Sequence, residues 1–195
     1  MADERPRILV VDPDRVRASV IEDGLREAGV TDITALTDMS QLMRGVVSSD
    51  PDVIFMDLGE PDRDALTSAF QVARAARKPV ALFVKSADAQ TIGEAVAAGV
   101  SAFVVDDLRK ERIKPILDLA VERFNALQRL ERELEETRSA LAGRKTVERA
   151  KGVLMKSRGV TEEEAYALLR KAAMSQNRKI ADVAESLILA AGLLD

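Results

Sequence analysis

Five short apolar runs, separated by segments with helical spacing, constrain the fold of the first half of this 195-residue chain more than any other feature. Residues 14–28, for example, place apolar side chains at Val16, Val20, Ile21 and Leu25, and Gly29 follows as a helix stop. Strand–helix alternation at this spacing predicts an α/β domain with a doubly wound, flavodoxin-like sheet of five parallel strands. The predicted strands cover residues 7–11, 33–36, 52–56, 79–84 and 101–105.

Aspartates stand directly after three of these predicted strands. Asp12 follows the first strand, Asp57 the third and Asp106 the fifth, and Asp14 lies close behind Asp12. The carboxyl ends of parallel strands share one edge of the sheet, and the ligands of doubly wound sheets bind beyond that edge. The sequence therefore predicts an acidic pocket there.

Composition excludes several classes of function. The chain contains no cysteine and no histidine, which excludes disulfides, thiolate nucleophiles and a Ser-His-Asp triad. No phosphate-cradling glycine loop is present either, so a flavodoxin-like enzyme is a weak alternative and we expect no enzymatic activity. The first residues lack an apolar signal core and no run approaches membrane-spanning length. We therefore expect a cytoplasmic protein without a membrane partner.

The N-terminal pattern, over roughly residues 6–122, resembles the receiver domain of two-component response regulators. The resemblance rests on four short motifs, Val10-Val11-Asp12, Met56-Asp57-Leu58 with Pro61 after it, Lys78-Pro79 and Ala98-Gly99. It implies that Asp57 is the phospho-acceptor, whose carboxylate attacks a phosphoryl group while Mg²⁺ neutralises the developing charge. In that case Asp12 and Asp57 are the candidate Mg²⁺ ligands.

The chain departs from the receiver pattern at three positions. Pro13 stands where a second acid normally follows the first, Val84 where a hydroxyl ends strand four, and Asp106 where a lysine ends strand five. An anion at position 106 would repel a phosphoryl group. These departures favour a fold relic or a partner-binding acidic pocket over phosphorylation of Asp57. We therefore expect no required cofactor, with Mg²⁺ involved only if the domain is phosphorylated.

A long helix is predicted from Arg112 to about Lys156, because no strong breaker follows Pro115 apart from Gly143 and Gly152. Its apolar residues recur at alternating spacings of three and four, which is the heptad pattern of coiled coils. The pattern favours a parallel coiled-coil dimer over a helix that packs back on its own N-terminal domain. The predicted dimer seam contains Leu127, Leu130, Leu134 and Leu141.

The last fifty residues predict a small, all-α module of three helices with a basic surface. Residues 144–195 hold 10 basic and 7 acidic side chains, whereas residues 1–123 hold 16 and 22. Thr161 and Glu164 have the spacing of a capping box, and we expect Met155 and Met174 in the core. The charge indicates a polyanionic partner, although a solvated basic face explains it equally well.

The basic residues of this module fall into two groups, around the end of the long helix and around the second turn. Such groups can neutralise several phosphates, so binding should weaken with salt. Tyr166, the only tyrosine, can stack on an unpaired base or pack between helices. Physical grounds alone leave a DNA-binding helix-turn-helix open. The candidate contacts are Lys145, Arg149, Lys151, Lys156, Arg158, Tyr166, Arg170, Lys171, Arg178 and Lys179.

The segments 150–155 (Ala-Lys-Gly-Val-Leu-Met) and 163–170 (Glu-Glu-Ala-Tyr-Ala-Leu-Leu-Arg) resemble the ANTAR domain, the three-helix RNA-binding module of transcription antitermination regulators. The resemblance selects RNA over DNA. It implies binding to hairpins with unpaired loops in leader mRNA, which favours the antiterminator over the overlapping terminator. Residues 99–106, 114–120 and 123–125 are similar to NasT-type regulators of nitrate and nitrite assimilation.

The NasT-type resemblance implies control by a nitrate- or nitrite-sensing regulatory protein, which sequesters the regulator and releases it as a homodimer. The expected parts are a receiver-like (pseudo-receiver) domain at residues 1–122, a coiled-coil linker at 123–143 and an ANTAR domain at 144–195. The alternative is a phosphorylation-switched regulator of the two-component phosphorelay that acts on DNA. That alternative requires dimerisation driven by phosphorylation of Asp57.

Overall fold

The first part of the chain alternates strands and helices as the apolar pattern predicts. The computed structural model describes residues 6–105 and 108–192. Its strands are β1 (Arg7–Val11), β2 (Asp32–Leu36), β3 (Val53–Asp57), β4 (Val80–Val84) and β5 (Ala102–Val105). The helices between them are α1 (Arg15–Glu27), α2 (Leu42–Ser49), α3 (Arg63–Ala76) and α4 (Ala89–Ala97). All five predicted strands are confirmed, each within one residue of its predicted bounds.

The sheet is parallel throughout, with the strand order β2-β1-β3-β4-β5. The order reverses at β1, so the crevice expected to bind ligands lies between the carboxyl ends of β1 and β3. Val11 pairs with Met56 across these two strands. The next residue on each strand is an aspartate, and Asp12 and Asp57 are therefore neighbours at this point of the edge.

Apolar side chains alternate between the two faces of the sheet and form a core on each. One core joins Leu9, Ile54 and Leu82 of the strands to residues of α2, α3 and α4. The other joins Ile8, Phe55 and neighbouring strand residues to α1 and to the start of the long helix that follows β5. Burial on both faces explains why the central strands have continuous apolar runs rather than alternating ones.

Within the described residues, three helices follow β5, namely α5 (Lys110–Arg158), α6 (Glu162–Ser175) and α7 (Ile180–Gly192). By its contacts the chain divides into an N-terminal unit that ends at Gln128 and a C-terminal unit that begins at Arg129. The residues that pack the core of the C-terminal unit are Val147, Ala150, Leu154, Ala165, Leu169, Ala173, Val183 and Ala184. Among the described helices, none has the length and apolar character needed to cross a bilayer.

The start of α6 has the predicted capping box. The Thr161 hydroxyl accepts a hydrogen bond from the Glu164 amide, and the Glu164 carboxylate accepts one from the Thr161 amide. The prediction that Met155 and Met174 lie in the core is wrong, because their side chains are 40% and 73% exposed. Position 174 lies one step of the helix away from the buried face at 165, 169 and 173, so its side chain points outward.

Gly24 of α1 lets two helices of the N-terminal unit come close together. A Cβ atom at this position would lie 2.7 Å from the Ile113 Cβ and 2.8 Å from the carbonyl oxygen of Lys110. The second contact is with backbone, which cannot move aside as a flexible side chain can. A side chain at position 24 would therefore push α1 away from α5.

We predict that Gly24→Ala lowers the free energy of unfolding by about 1–3 kcal/mol, because overpacking outweighs the gain in helix propensity. Gly93→Ala in α4 is the matched control, since a Cβ there meets no atom within 4 Å. The control should be neutral or stabilising by up to about 1 kcal/mol. Chemical denaturation of both variants measures the difference, and equal effects would contradict the close-packing argument.

Candidate functional site

Two buried carboxylates mark the carboxyl edge of the sheet. Asp12 is fully buried and Asp57 is 4% exposed. A buried carboxylate is costly unless its oxygens accept hydrogen bonds or pair with a cation. Here the backbone amides of Asp14 and Gly59 donate to Asp12 Oδ1 at 2.7 Å and to Asp57 Oδ1 at 2.8 Å. These amide groups do not neutralise the negative charge of either carboxylate.

Arg17, in the first turn of α1, supplies the cation for both carboxylates. Its Nη2 lies 2.9 Å from Asp12 Oδ1 and its Nε lies 3.4 Å from Asp57 Oδ2. The fork geometry of a guanidinium allows one side chain to meet two acceptors in this way. The result is an internal ion triad of Asp12, Asp57 and Arg17 at the crevice between β1 and β3.

Burial dominates the electrostatics of this triad. It raises the pKa of the Asp12 carboxyl, and the hydrogen bonds from Arg17 and Asp14 offset only part of that effect. Burial likewise raises the pKa of the Asp57 carboxyl, against the Gly59 amide and the charge of Arg17. The hydrogen bond to Asp12 in turn raises the pKa of Arg17 above its ordinary value. The guanidinium is therefore fixed in its charged form.

The other residues of the predicted acidic pocket have different surroundings. Asp14 is the N-cap of α1, and its carboxylate accepts hydrogen bonds from the Val16 and Arg17 amides. Its second oxygen lies 3.9 Å from Arg17 Nη1. Asp106 lies outside the described residues. The structure thus brings Asp12 and Asp57 together, while Asp14 stabilises a helix start beside them.

With Arg17 in place, the donor set at this edge does not fit Mg²⁺, the ion that receiver-type phosphorylation uses. Two acidic side chains face each other here, and Pro13 provides no third carboxylate. Within residues 6–105 and 108–192, no group of three acidic side chains has an arrangement that could hold a metal ion. The guanidinium of Arg17 already contacts both carboxylates from the side of the crevice.

Arg17 is the residue at this edge that our sequence reasoning missed. One signal was present, since Arg17 follows the N-cap Asp14 by three residues and therefore lies in the first turn of α1. A side chain there can reach back over the end of β1. That it meets Asp57 as well depends on the neighbouring position of β3, which only the tertiary fold provides.

We predict that Asp57→Asn becomes increasingly stabilising, relative to the unmodified chain, as pH rises from 3.8, the ordinary pKa, through the raised pKa of the folded state. In that window the folded protein holds a proton that the unfolded chain has lost, so rising pH lowers stability. The difference should grow by about 1.4 kcal/mol for each pH unit of the window. Chemical denaturation at a series of pH values measures it. A difference that is flat or shrinks with pH would contradict a raised pKa.

In the C-terminal unit the basic residues separate into two surfaces. Lys145, Arg149 and Lys156 are exposed and lie at spacings of four and seven on α5, which places them on one stripe of the helix. This outer stripe faces away from the buried residues Val147 and Ala150. Arg158, also exposed, follows at the end of the helix.

The second surface centres on Tyr166 of α6. Tyr166, Arg170 and Met174 follow one another at intervals of four residues, and Lys171 lies beside them, so they share a helix face. All four side chains are exposed, and together with Ala167 and Ser175 they line a shallow depression. We call these four residues the tyrosine patch. It combines an aromatic face, a polarisable thioether and two cations.

Tyr166 also borders a groove of about 870 Å³ between α5 and α7. Arg144 of α5 and Lys179 before α7 line the same groove, with acidic residues such as Glu148 and Asp182 among the other lining residues. Arg144 was absent from the predicted contacts, although it directly precedes Lys145 in the sequence. Tyr166 thus belongs to both the groove and the tyrosine patch. Arg144 and Lys179 lie on the side of the groove, and Arg170 and Lys171 lie on the side of the patch.

Two predicted contacts are engaged within the protein. Lys151 is 7% exposed, and its ammonium donates to Glu162 at 2.6 Å and pairs with Glu148 at 2.8 Å. These hydrogen bonds raise the pKa of Lys151, with Glu148 contributing most. Arg178 donates to the Asp182 carbonyl and to the Ser186 hydroxyl near the start of α7. Both side chains therefore stabilise the fold of the C-terminal unit through these internal contacts.

Comparison with known families accounts for most of the chain. Residues 8–118 match the response regulator receiver domain, and residues 135–188 match the ANTAR domain. Both are families of regulatory domains rather than of enzymes. The first match covers the sheet with its crevice, and the second covers the tyrosine patch and the outer stripe.

Two curated relatives match different extents of the chain. The transcriptional regulatory protein PdtaR of Mycobacterium tuberculosis is 28% identical over 179 residues, which cover 92% of this chain and 87% of the relative. The nitrate regulatory protein of Klebsiella oxytoca is 39% identical over 75 residues. That match covers 38% of this chain and only 19% of the relative, and it falls on the ANTAR region.

Solved structures support the fold of the N-terminal unit. The receiver domain of a modulated diguanylate cyclase from Desulfovibrio desulfuricans has a TM-score of 0.54 at 16% identity, covering 63% of this chain and 98% of that one. A response regulator from Thermotoga maritima has a TM-score of 0.52 at 16% identity, covering 60% and 98%. At such identities the likeness concerns the fold alone.

Proposed function

Because this chain belongs to the response regulators, with a receiver domain followed by an ANTAR domain, we propose that it binds hairpins in leader mRNA and prevents transcription termination. The observation that carries the proposal is the tyrosine patch, where an exposed aromatic ring lies between cations. An RNA hairpin offers unpaired loop bases for the ring and backbone phosphates for the cations.

The charges of the patch are available to a ligand. Among the described residues, neither Arg170 nor Lys171 forms an ion pair with an acidic side chain, in contrast to Lys151. An unpaired guanidinium can bind phosphate through two parallel hydrogen bonds, and an ammonium binds it as a point charge. The outer stripe of Lys145, Arg149 and Lys156 adds three exposed charges along α5. A paired stem is the complementary partner for such a row of charges.

We predict that Tyr166→Ala weakens binding to a two-hairpin leader RNA by roughly 5- to 150-fold, the loss of about 1–3 kcal/mol of base stacking. Lys171→Gln should weaken binding less and lower the salt slope by about one charge. Titrations at two salt concentrations, against the RNA and a duplex DNA of equal length, measure both effects.

The matched controls for that titration are Tyr166→Phe and Arg74→Gln. Phenylalanine keeps the stacking surface and should retain most of the affinity, whereas Arg74 is an exposed cation of α3, outside the C-terminal unit. Unchanged RNA affinity in both Tyr166→Ala and Lys171→Gln would exclude the tyrosine patch. Preference for the DNA would contradict RNA binding and favour a phosphorylation-switched regulator that acts on DNA.

We further propose that the chain acts as a homodimer through the seam on α5. Leu127, Leu130, Leu134 and Leu141 are between 50% and 62% exposed, and they follow the heptad spacing of a coiled coil. Large apolar side chains in a row along one helix face are expected to be covered by a partner. A second copy of the same helix offers the same spacing and the same apolar face.

We predict that the double substitution Leu130→Glu and Leu134→Glu makes the protein monomeric at concentrations where the unmodified chain is dimeric, because like charges would face each other in the seam. Ser139→Glu, an exposed position of the same helix outside the seam, is the control and should leave the dimer intact. Light scattering after size-exclusion chromatography measures the mass. A dimer that survives the double substitution would place the interface elsewhere.

The regulated genes and the upstream control are proposals that rest on the relatives. The similarity of the ANTAR region to the nitrate regulatory protein supports genes of nitrate and nitrite assimilation as targets. The NasT-type resemblance of residues 99–125 supports a nitrate-sensing regulatory protein that acts through the receiver domain. The ion triad supports control by a protein partner rather than by phosphorylation, because Arg17 contacts both carboxylates of the crevice. We retain the division into residues 1–122, 123–143 and 144–195 as the proposed functional parts.

A further inference from the structure

We propose that Arg17 is a built-in counter-ion that takes the place of Mg²⁺ in the receiver domain, so that the crevice excludes divalent cations while this side chain is in place. The proposal concerns the chemistry of the N-terminal unit and does not depend on RNA binding. It is carried by three observations, namely the charge balance, the close approach of Gly59 and the anchoring of α1.

The charge balance is the first observation. Two buried carboxylates and one guanidinium sum to a single negative charge, and Asp14, whose Oδ2 lies 3.9 Å from Arg17 Nη1, adds a second one at the exposed side. A divalent cation between Asp12 and Asp57 would lie within a few ångströms of the guanidinium, which contacts both carboxylates. Like charges at such distances repel each other, and the burial of Asp12 and Asp57 limits screening by water on that side. Mg²⁺ would therefore bind only if Arg17 left the crevice.

The second observation is the backbone that receives the guanidinium. Gly59 has a φ of +60°, and a Cβ atom there would lie 2.9 Å from Arg17 Nη1 and 3.1 Å from Cζ. Any other residue at position 59 would both adopt an unfavourable conformation and press on the guanidinium. The absence of a side chain at Gly59 thus provides the space in which Arg17 lies beside Asp57.

The third observation is how firmly Arg17 is attached. Asp14 caps α1 through hydrogen bonds to the Val16 and Arg17 amides, and the amide of Asp14 itself donates to Asp12. The start of the helix that carries Arg17 is therefore tied to the carboxylate that Arg17 pairs with. Because the guanidinium belongs to the same chain, it competes with Mg²⁺ at a high effective concentration.

Divalent-cation titration of the full-length chain tests the proposal. Isothermal calorimetry with Mg²⁺ measures affinity, and Mn²⁺ is the paramagnetic probe, read as broadening of the Gly59 amide resonance. That amide donates to Asp57, so it reports on the crevice directly. For the unmodified chain we expect no saturable heat of Mg²⁺ binding and no Mn²⁺ broadening of the Gly59 amide resonance. Arg17→Gln should gain both, with affinity higher by roughly two orders of magnitude or more.

Two further variants make the test specific. Adding Asp12→Asn to Arg17→Gln should abolish the new Mg²⁺ binding, because it removes one of the two carboxylates. Arg26→Gln is the matched control, since Arg26 lies on the same helix but pairs with Glu22 and Asp23 of that helix rather than with the carboxylates of the crevice. The control should behave as the unmodified chain. A folded Arg17→Gln variant that binds Mg²⁺ no better than the unmodified chain would overturn the proposal.

The unmodified chain keeps the proposal testable even if Arg17→Gln does not fold. Broadening of the Gly59 resonance by Mn²⁺ in that chain, competed by Mg²⁺, would overturn the proposal without any variant. Its absence supports the proposal, as would an Arg17→Gln chain that folds only when Mg²⁺ is added. The last result would mean that the ion can replace the guanidinium as the counter-ion of Asp12 and Asp57.

Discussion

The pairing of Arg17 with two buried aspartates is the interaction on which the N-terminal unit depends. Asp12 follows β1 and Asp57 ends β3, and the parallel pairing of these strands brings the two carboxylates together. Burial raises the pKa of each carboxyl, and the neighbouring guanidinium of Arg17 acts in the opposite direction. Arg17 supplies its charge from within the chain, and the cap of α1 and the open space at Gly59 hold it there. This internal counter-ion is the basis for the proposal that a partner protein, rather than phosphorylation, controls the receiver domain.

The long helix α5 explains how one chain can combine a receiver with a second module. Its first turns supply Ile113, Ile116 and Leu117 to the core of the N-terminal unit. Its last turns supply Val147, Ala150 and Leu154 to the core of the C-terminal unit. Between these stretches, Leu127, Leu130, Leu134 and Leu141 are at least half exposed and follow a heptad. Helix α5 therefore contributes to the N-terminal core with its first turns and to the C-terminal core with its last turns, and it presents exposed leucines between them. It is nevertheless one continuous helix.

The sequence predicted the strands, the long helix and the capping box because each depends on neighbouring residues or on local periodicity. It also predicted that Asp12 and Asp57 would meet, because the geometry of a parallel sheet requires it. It did not reveal Arg17 as their counter-ion, since that contact joins α1 to β3 through the tertiary fold. The sequence placed Lys151 among the surface cations, because its pairing with Glu162 depends on how α5 packs against α6. Met174 was wrongly assigned to the core because methionine is apolar, whereas its position on α6 lies off the buried face. Asp106 lies outside the described residues.

The measurement that tests the central claim most directly is single-round transcription through a leader that contains two hairpins and the overlapping terminator. If the chain reads RNA as proposed, adding it should increase the fraction of transcripts that pass the terminator, in proportion to the RNA bound. The increase should also require both hairpins, because an altered loop removes the unpaired bases available to Tyr166. An unchanged read-through fraction, under conditions where the protein is folded and saturates the leader RNA, would contradict the claim that this regulator is an antiterminator.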